Sequence, residues 1–124
     1  MAKKSPSALY PVIVLFLLAA ISLADNPIVQ TCYTADPAPM VHNGRVYLFT
    51  SHDDDEIEDN FYTMRDYYCF SSADMVNWTN HGIVATLKEF KWITVNNGAW
   101  APQCIERDGK FFLYVPIHGK GIGV

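Results

Sequence analysis

Asp36 stands between Ala35 and Pro37 in the run Thr34-Ala35-Asp36-Pro37-Ala38-Pro39. Proline has no N–H and restricts the residue before it, so this run is not helix interior, and its carboxylate can project from a rigid turn. A carboxylate held in that way could take a proton as a general base, and such chemistry needs a partner acid. An Asp before Pro is also an ordinary turn residue that bonds its own backbone. Both readings stand on these residues alone.

The context of Asp36 is partly echoed at Trp100-Ala101-Pro102. After each comes a turn pair and an alternating segment: Asn43-Gly44 before Arg45-Val46-Tyr47-Leu48-Phe49, and Asp108-Gly109 before Lys110-Phe111-Phe112-Leu113-Tyr114. Two copies of one supersecondary unit, about 65 residues apart, indicate a repeat architecture. In that alignment Asp36 falls opposite Ala101. The start of the first strand and the end of the second share one end of an antiparallel hairpin. Asp36 is therefore expected beside His52 and Asp53, and Trp100 beside His118. Across neighbouring repeats these residues could rim one funnel. His52 and His118 have an equally ordinary structural reading. Trp92 and Trp100 are flat rings of the kind that sugars stack on, and core packing is the alternative for each.

The elements that must hold these residues are strands. Asn43-Gly44 is a strong hairpin signal. It predicts strands at residues 40–42 and 45–51, the second with Val46, Leu48 and Thr50 on one face and Tyr47 and Phe49 on the other. Both faces are apolar, which predicts a central strand covered on both sides. Further strands are expected at 67–71, 81–84, 103–106 and 110–116, with residues 61–66 ambiguous. Four antiparallel strands followed by the start of another such unit make propeller blades. The expected fold class is therefore all-β, with about one and a half blades. That is too little to close a ring, so the chain is expected to be the N-terminal part of a longer domain.

The acidic segment from Asp53 to Asp59 lacks the ligand spacing and glycine of a calcium loop and reads as a solvated surface loop. Asn77-Trp78-Thr79 matches a glycosylation acceptor, with Trp78 a candidate core anchor that would bury part of it. Cys32, Cys69 and Cys104 are an odd number, so at least one thiol is unpaired within this chain, and no spacing suits zinc. No cofactor is implied. A calcium at the axis of a complete propeller would take its ligands mostly from other blades.

Lys3 and Lys4, the apolar run from Val12 to Ala20, and small residues ending at Ala24 form the layout of a secretory signal peptide, residues 1–24. The apolar run is shorter than the roughly 20 residues that span a bilayer. The expected product is secreted, extracellular and free of the membrane. The formal net charge is −4 and falls to about −6 without Lys3 and Lys4. With no basic stripe, nucleic acid is excluded as a partner. An acidic chain in which 14% of residues are aromatic suits an uncharged substrate such as a polysaccharide or oligosaccharide.

Ala35-Asp36-Pro37, the stretch Tyr47-Leu48-Phe49-Thr50-Ser51-His52-Asp53, the segment from Phe70 to Gly82 and Ala99-Trp100-Ala101-Pro102 together resemble glycoside hydrolase family 43. The likeness is to its arabinofuranosidase and arabinoxylan arabinofuranohydrolase members and runs from about Asp25 to the end. The resemblance implies a five-bladed β-propeller and hydrolysis of α-L-arabinofuranosyl linkages with inversion, β-xylosidase activity being the alternative within the family; the protein is expected to be a monomer. It implies Asp36 as general base, and Trp100 as a wall of the sugar-binding funnel. The family's second Asp and its catalytic Glu lie on later blades. Glu56, Glu58, Glu89 and Glu106 fit neither position. The chain alone is thus expected to be inactive, and a non-catalytic propeller remnant or carbohydrate-binding module is the reading from a different class.

Overall fold

The computed structural model describes residues 27–58 and 60–124. The expected signal peptide lies outside them. Seven strands follow in order: β1 (Tyr33–His42), β2 (Arg45–Asp53), β3 (Asp66–Ser72), β4 (Thr79–Thr86), β5 (Gln103–Arg107), β6 (Lys110–Ile117) and β7 (Gly121–Gly123). Strands β1 to β4 form one antiparallel sheet in sequence order, and β5 to β7 form a second. A single 3-10 turn, Leu87–Glu89, leaves β4 under a capping box made by Thr86 and Glu89. The fold is all-β, in successive propeller blades, and the first strands of the two sheets, β1 and β5, lie against each other. Among the described residues no helix is long and apolar enough to cross a membrane.

The turn chemistry explains both hairpins. Asn43 and Gly44 have φ of 47° and 73°, and Asp108 and Gly109 have 54° and 72°. Both residues of each pair are left-handed, which is the geometry that matches the twist of the flanking strands and that Asn, Asp and Gly tolerate. The expected strands are all present, and each is longer than its sequence pattern. β1 begins at Tyr33 rather than residue 40, because Ala35 and Thr34 pair with Ser51 and His52 beyond an interruption at Asp36 and Pro37. Strand β7 had no sequence signal. Three residues are too few for alternation to register, and it exists because Val115, Pro116 and Ile117 offer it an edge.

Period-two alternation then builds the core between the sheets. Tyr67, Cys69, Cys104, Leu113, Val115 and Ile117 face inward and pack with Phe49, Met64, Ala85, Leu87 and Ala99. Tyr67 is fully buried and donates its hydroxyl to the Pro116 carbonyl at 2.8 Å, a bond from one blade to the next. Burial pushes its ionisation far above the ordinary phenol range. β2 is central, as its two apolar faces predict. Phe49, Thr50 and Ser51 are buried, and Val46, Leu48 and Thr50 line a groove with Ile28, Val29 and Trp78. The three cysteines are free thiols, with Cys69 and Cys104 in one buried cluster. Burial, reinforced by Cys104, raises the Cys69 thiol to about 11. Gly123 is buried where a Cβ would run into the Phe90 ring, so a larger residue there would have to displace that ring.

The turn between β3 and β4 is tied by one carboxylate. Asp74 accepts from the backbone N–H of Val76 and Asn77 and from the Asn77 side chain at 2.8–3.0 Å, and Ser72 also donates to it. Asn77, the first residue of the glycosylation motif, is exposed, and Trp78 is half-buried. Hydrogen bonds to the charged form, chiefly from Asn77, hold the Asp74 carboxyl far below its ordinary 3.8. A depressed folded-state value means that the stabilisation is complete above the unfolded value and disappears as pH falls through the folded one. Asp74→Ala is therefore expected to lower the melting temperature at pH 7 and to make progressively less difference as pH falls from about 4 towards 2. Melts of both proteins across that range test it.

Candidate active site

Between Ala35, paired with Ser51, and Ala38, paired with Phe49, two residues of β1 oppose one of β2. This is a β-bulge, and Asp36 occupies it at φ 52°. Bulges re-aim a side chain out of the alternation of its strand. Asp is among the few residue types that tolerate a left-handed backbone, and Pro37 has no N–H to lose from the ladder. The sequence thus builds an exposed carboxylate on a rigid kink at one end of the first blade.

Ahead of β5 the same conformation recurs. Ala101 has φ 45° and precedes Pro102, so the Asp36/Ala101 equivalence read from the repeat is also an equivalence of backbone. Ser51 joins the two. Its hydroxyl accepts from the Ala101 N–H at 2.8 Å and donates to Asp36 Oδ2 at 3.3 Å.

Trp100, next to Ala101, lies on His118 with ring centroids 4.1 Å apart and planes tilted by 35°. Phe61 completes an aromatic cluster at 5.9 Å from Trp100 and 6.3 Å from His118. Phe61 and His118 are exposed, Trp100 is half-buried, and its indole N–H has no partner among the described residues. Gly98 makes the approach possible: at φ 101° its missing Cβ would sit 3.0 Å from the His118 Cβ. Asn97 holds the segment bearing Phe61, accepting from the N–H of Met64 at 2.8 Å and donating to the Tyr62 carbonyl at 2.7 Å.

Asp53 is half-buried, and one carboxylate oxygen lacks a partner. Burial raises its ionisation above the ordinary value; Asp36 and Asp54 add to this and His52 opposes it. His52 shares the end of the hairpin with Asp36 but is committed elsewhere. Its Nδ1 lies 2.8 Å from Asp66 and its ring 4.6 Å from Tyr68. Asp54, which with Asp66 and His52 brings three ligand-type atoms within 4.8 Å, is paired with Arg65, as is Glu58. These groups form a closed ion-pair network, in which each candidate ligand already has a partner. Trp92 is half-exposed and packs on Phe90, with Gly121 beneath it, and takes no part in the Trp100 cluster.

Residues 24–124 match the family described as Glycosyl hydrolases family 43. The chain belongs to this family. Among family 43 relatives, it is 37% identical over 102 residues to a xylosidase/arabinosidase of Humicola insolens, covering 76% of this chain and 31% of that one. It is 38% identical over 119 residues to an arabinoxylan arabinofuranohydrolase of Bacillus subtilis, covering 80% and 23%. Its structure aligns with that of an α-L-arabinofuranosidase from Clostridium thermocellum at TM-score 0.59 and 41% identity, over 78% of this chain and 32% of that one. It aligns with a family 43 enzyme of Xanthomonas citri complexed with xylose at TM-score 0.67 and 32% identity, over 78% and 29%. The chain thus spans about a third or less of the length of these family 43 proteins.

Ser51 and Phe61 are the site residues that sequence reasoning did not single out. The alternation that places Tyr47 and Phe49 on the inward face of β2 also places Ser51 there, so its position was readable. Its two bonds were not. Phe61 lies in the segment without a strand pattern and reaches Trp100 through contacts made by Asn97, more than thirty residues away.

Proposed function

We propose that this chain is the base-bearing part of a secreted glycoside hydrolase that removes α-L-arabinofuranosyl side chains from plant cell-wall polysaccharide such as arabinoxylan or arabinan, with inversion. Family membership supports hydrolysis of glycosidic bonds, and the relatives named for arabinofuranose support the sugar. The observation that carries the reading is Asp36 on its bulge, joined through Ser51 to the residue beside the Trp100–His118–Phe61 cluster. A carboxylate beside a partly exposed aromatic wall can activate water against the face of a sugar stacked on that wall.

In this mechanism Asp36 takes a proton from water as its oxygen bonds to the anomeric carbon. The bond to the leaving oxygen breaks on the opposite face, and an acid protonates that oxygen. Inversion requires the two carboxyl groups to stand about 6.5–9.5 Å apart, leaving room for the water. The acid is assigned to the part of the family domain outside the third of its length that this chain spans. Asp53, Trp100 and His118 are assigned to substrate contact. His52 acts through the Asp66 network that fixes the end of β2. Residues 1–24 are assigned to export, with cleavage after Ala24.

Xylosidase activity is the second reading, favoured by the Humicola relative, whose name carries both activities, and by the xylose complex. Assay of the complete family domain on aryl α-L-arabinofuranoside and aryl β-D-xyloside separates them. The expected result is a higher kcat/KM on the arabinofuranoside, with β-arabinofuranose as the first product seen by NMR. Preference for the xyloside would transfer the assignment to the second reading, and a first product of retained configuration would remove the inverting mechanism.

A further inference from the structure

We infer that Ser51 is a positioning residue for the general base, through which docking of the second blade sets the orientation of the Asp36 carboxylate. The inference rests on the reading of Asp36 as base. A serine hydroxyl has one proton to donate and lone pairs to accept with. An ionised carboxylate can only accept, and a backbone N–H can only donate. With the Ala101 N–H at 2.8 Å and Asp36 Oδ2 at 3.3 Å, the roles of Ser51 are therefore fixed: it accepts from the second blade and gives its proton to the first. Ser51 is fully buried, so no water competes for the hydroxyl. Among the described residues it is the one side-chain donor to Asp36.

The conformation of Ala101 supports the assignment. At φ 45° an alanine bears strain that a glycine would not, and non-glycine residues persist there only where the surroundings over-determine them. That conformation is the one in which the Ala101 N–H reaches Ser51. Asp36, exposed on its bulge, is otherwise free to rotate about its side-chain torsions. The bond from Ser51 selects the rotamer that turns Oδ2 towards β2, leaving Oδ1 free for a water. Separating the blades would remove the Ala101 donor and free the hydroxyl to turn away.

The test is steady-state kinetics of the complete family domain carrying Ser51→Ala, Ser51→Cys (which keeps the volume but has only a weak donor), Asp36→Asn and the double variant Asp36→Asn/Ser51→Ala, each checked by thermal melt. Loss of a hydrogen bond to a charged group is expected to lower kcat about tenfold in both Ser51 variants, with KM near that of the parent. On the Asp36→Asn background, Ser51→Ala should cause no further loss, because the group it positions is already gone. A folded Ser51 variant with full kcat, a loss confined to KM, or an additive loss in the double variant would overturn the inference. So would the unfolding of both Ser51 variants, which would make Ser51 a core residue. If instead Asp36→Asn alone retained activity, the base assignment would fall, and that outcome is distinct from the others.

Discussion

Asp36→Asn in the complete family domain is expected to lower kcat by about 10²–10⁴-fold, the ordinary contribution of a positioned acid or base. KM should change little, because the amide keeps the size and shape of the carboxylate. The fold should persist for a specific reason. Position 36 sits at φ 52° in a bulge, and Asn tolerates that backbone as well as Asp does. The Ser51 hydroxyl, which donates to Asp36 at 3.3 Å, can donate equally to an amide oxygen. What the substitution removes is the ability to accept a proton from water. The measurement is turnover on an aryl arabinofuranoside, with a melt to confirm that the protein is folded. Full activity in a folded variant would place the base elsewhere, with Asp53 the next carboxylate to test.

The 124-residue chain expressed alone is expected to show no turnover and no sharp cooperative melt. One face of its second sheet carries Ile105, Phe112, Tyr114 and Ile122, brought side by side by the pairs Ile105–Phe112 and Pro116–Ile122. Ile105, Tyr114 and Ile122 are 42%, 37% and 63% exposed, and Val41, Ile83 and Phe111 are exposed elsewhere. A contiguous apolar face of this kind marks a surface that needs a neighbour, and repeat units of this type are stable when at least three are stacked. The expected behaviour is therefore dye binding to exposed apolar surface, and aggregation that increases with concentration. A monomer with a single sharp melting transition would contradict this. A folded monomer that bound arabinoxylan oligosaccharides by calorimetry without hydrolysing them would instead support a binding module.

The local chemistry of the fold was legible in the sequence because it is carried by neighbouring residues. Asn43-Gly44 and Asp108-Gly109 declare left-handed turns whatever surrounds them, and the alternating segments after them declare strands with two apolar faces. The repeat itself was legible for the same reason, down to the match of Asp36 with Ala101. Residues 33–35 and 121–123 were not read as strands, because they pair only when a partner edge is supplied by β2 or β6.

Sequence alone thus determined which residue types are present to do chemistry: a carboxylate ahead of a proline, a tryptophan at the matching place in the next repeat, and histidines at the ends of the paired strands. Tertiary structure decided what each is bonded to. It set His52 against Asp66, brought Phe61 to Trp100, and placed Ser51 between the Asp36 carboxylate and the Ala101 amide. Periodicity assigns a side chain to a face, whereas a hydrogen bond between residues fifty positions apart depends on how one sheet packs on another. Residues 36 and 101 are alike in backbone and differ in side chain, and the bond that makes the difference useful exists only once the blades have met.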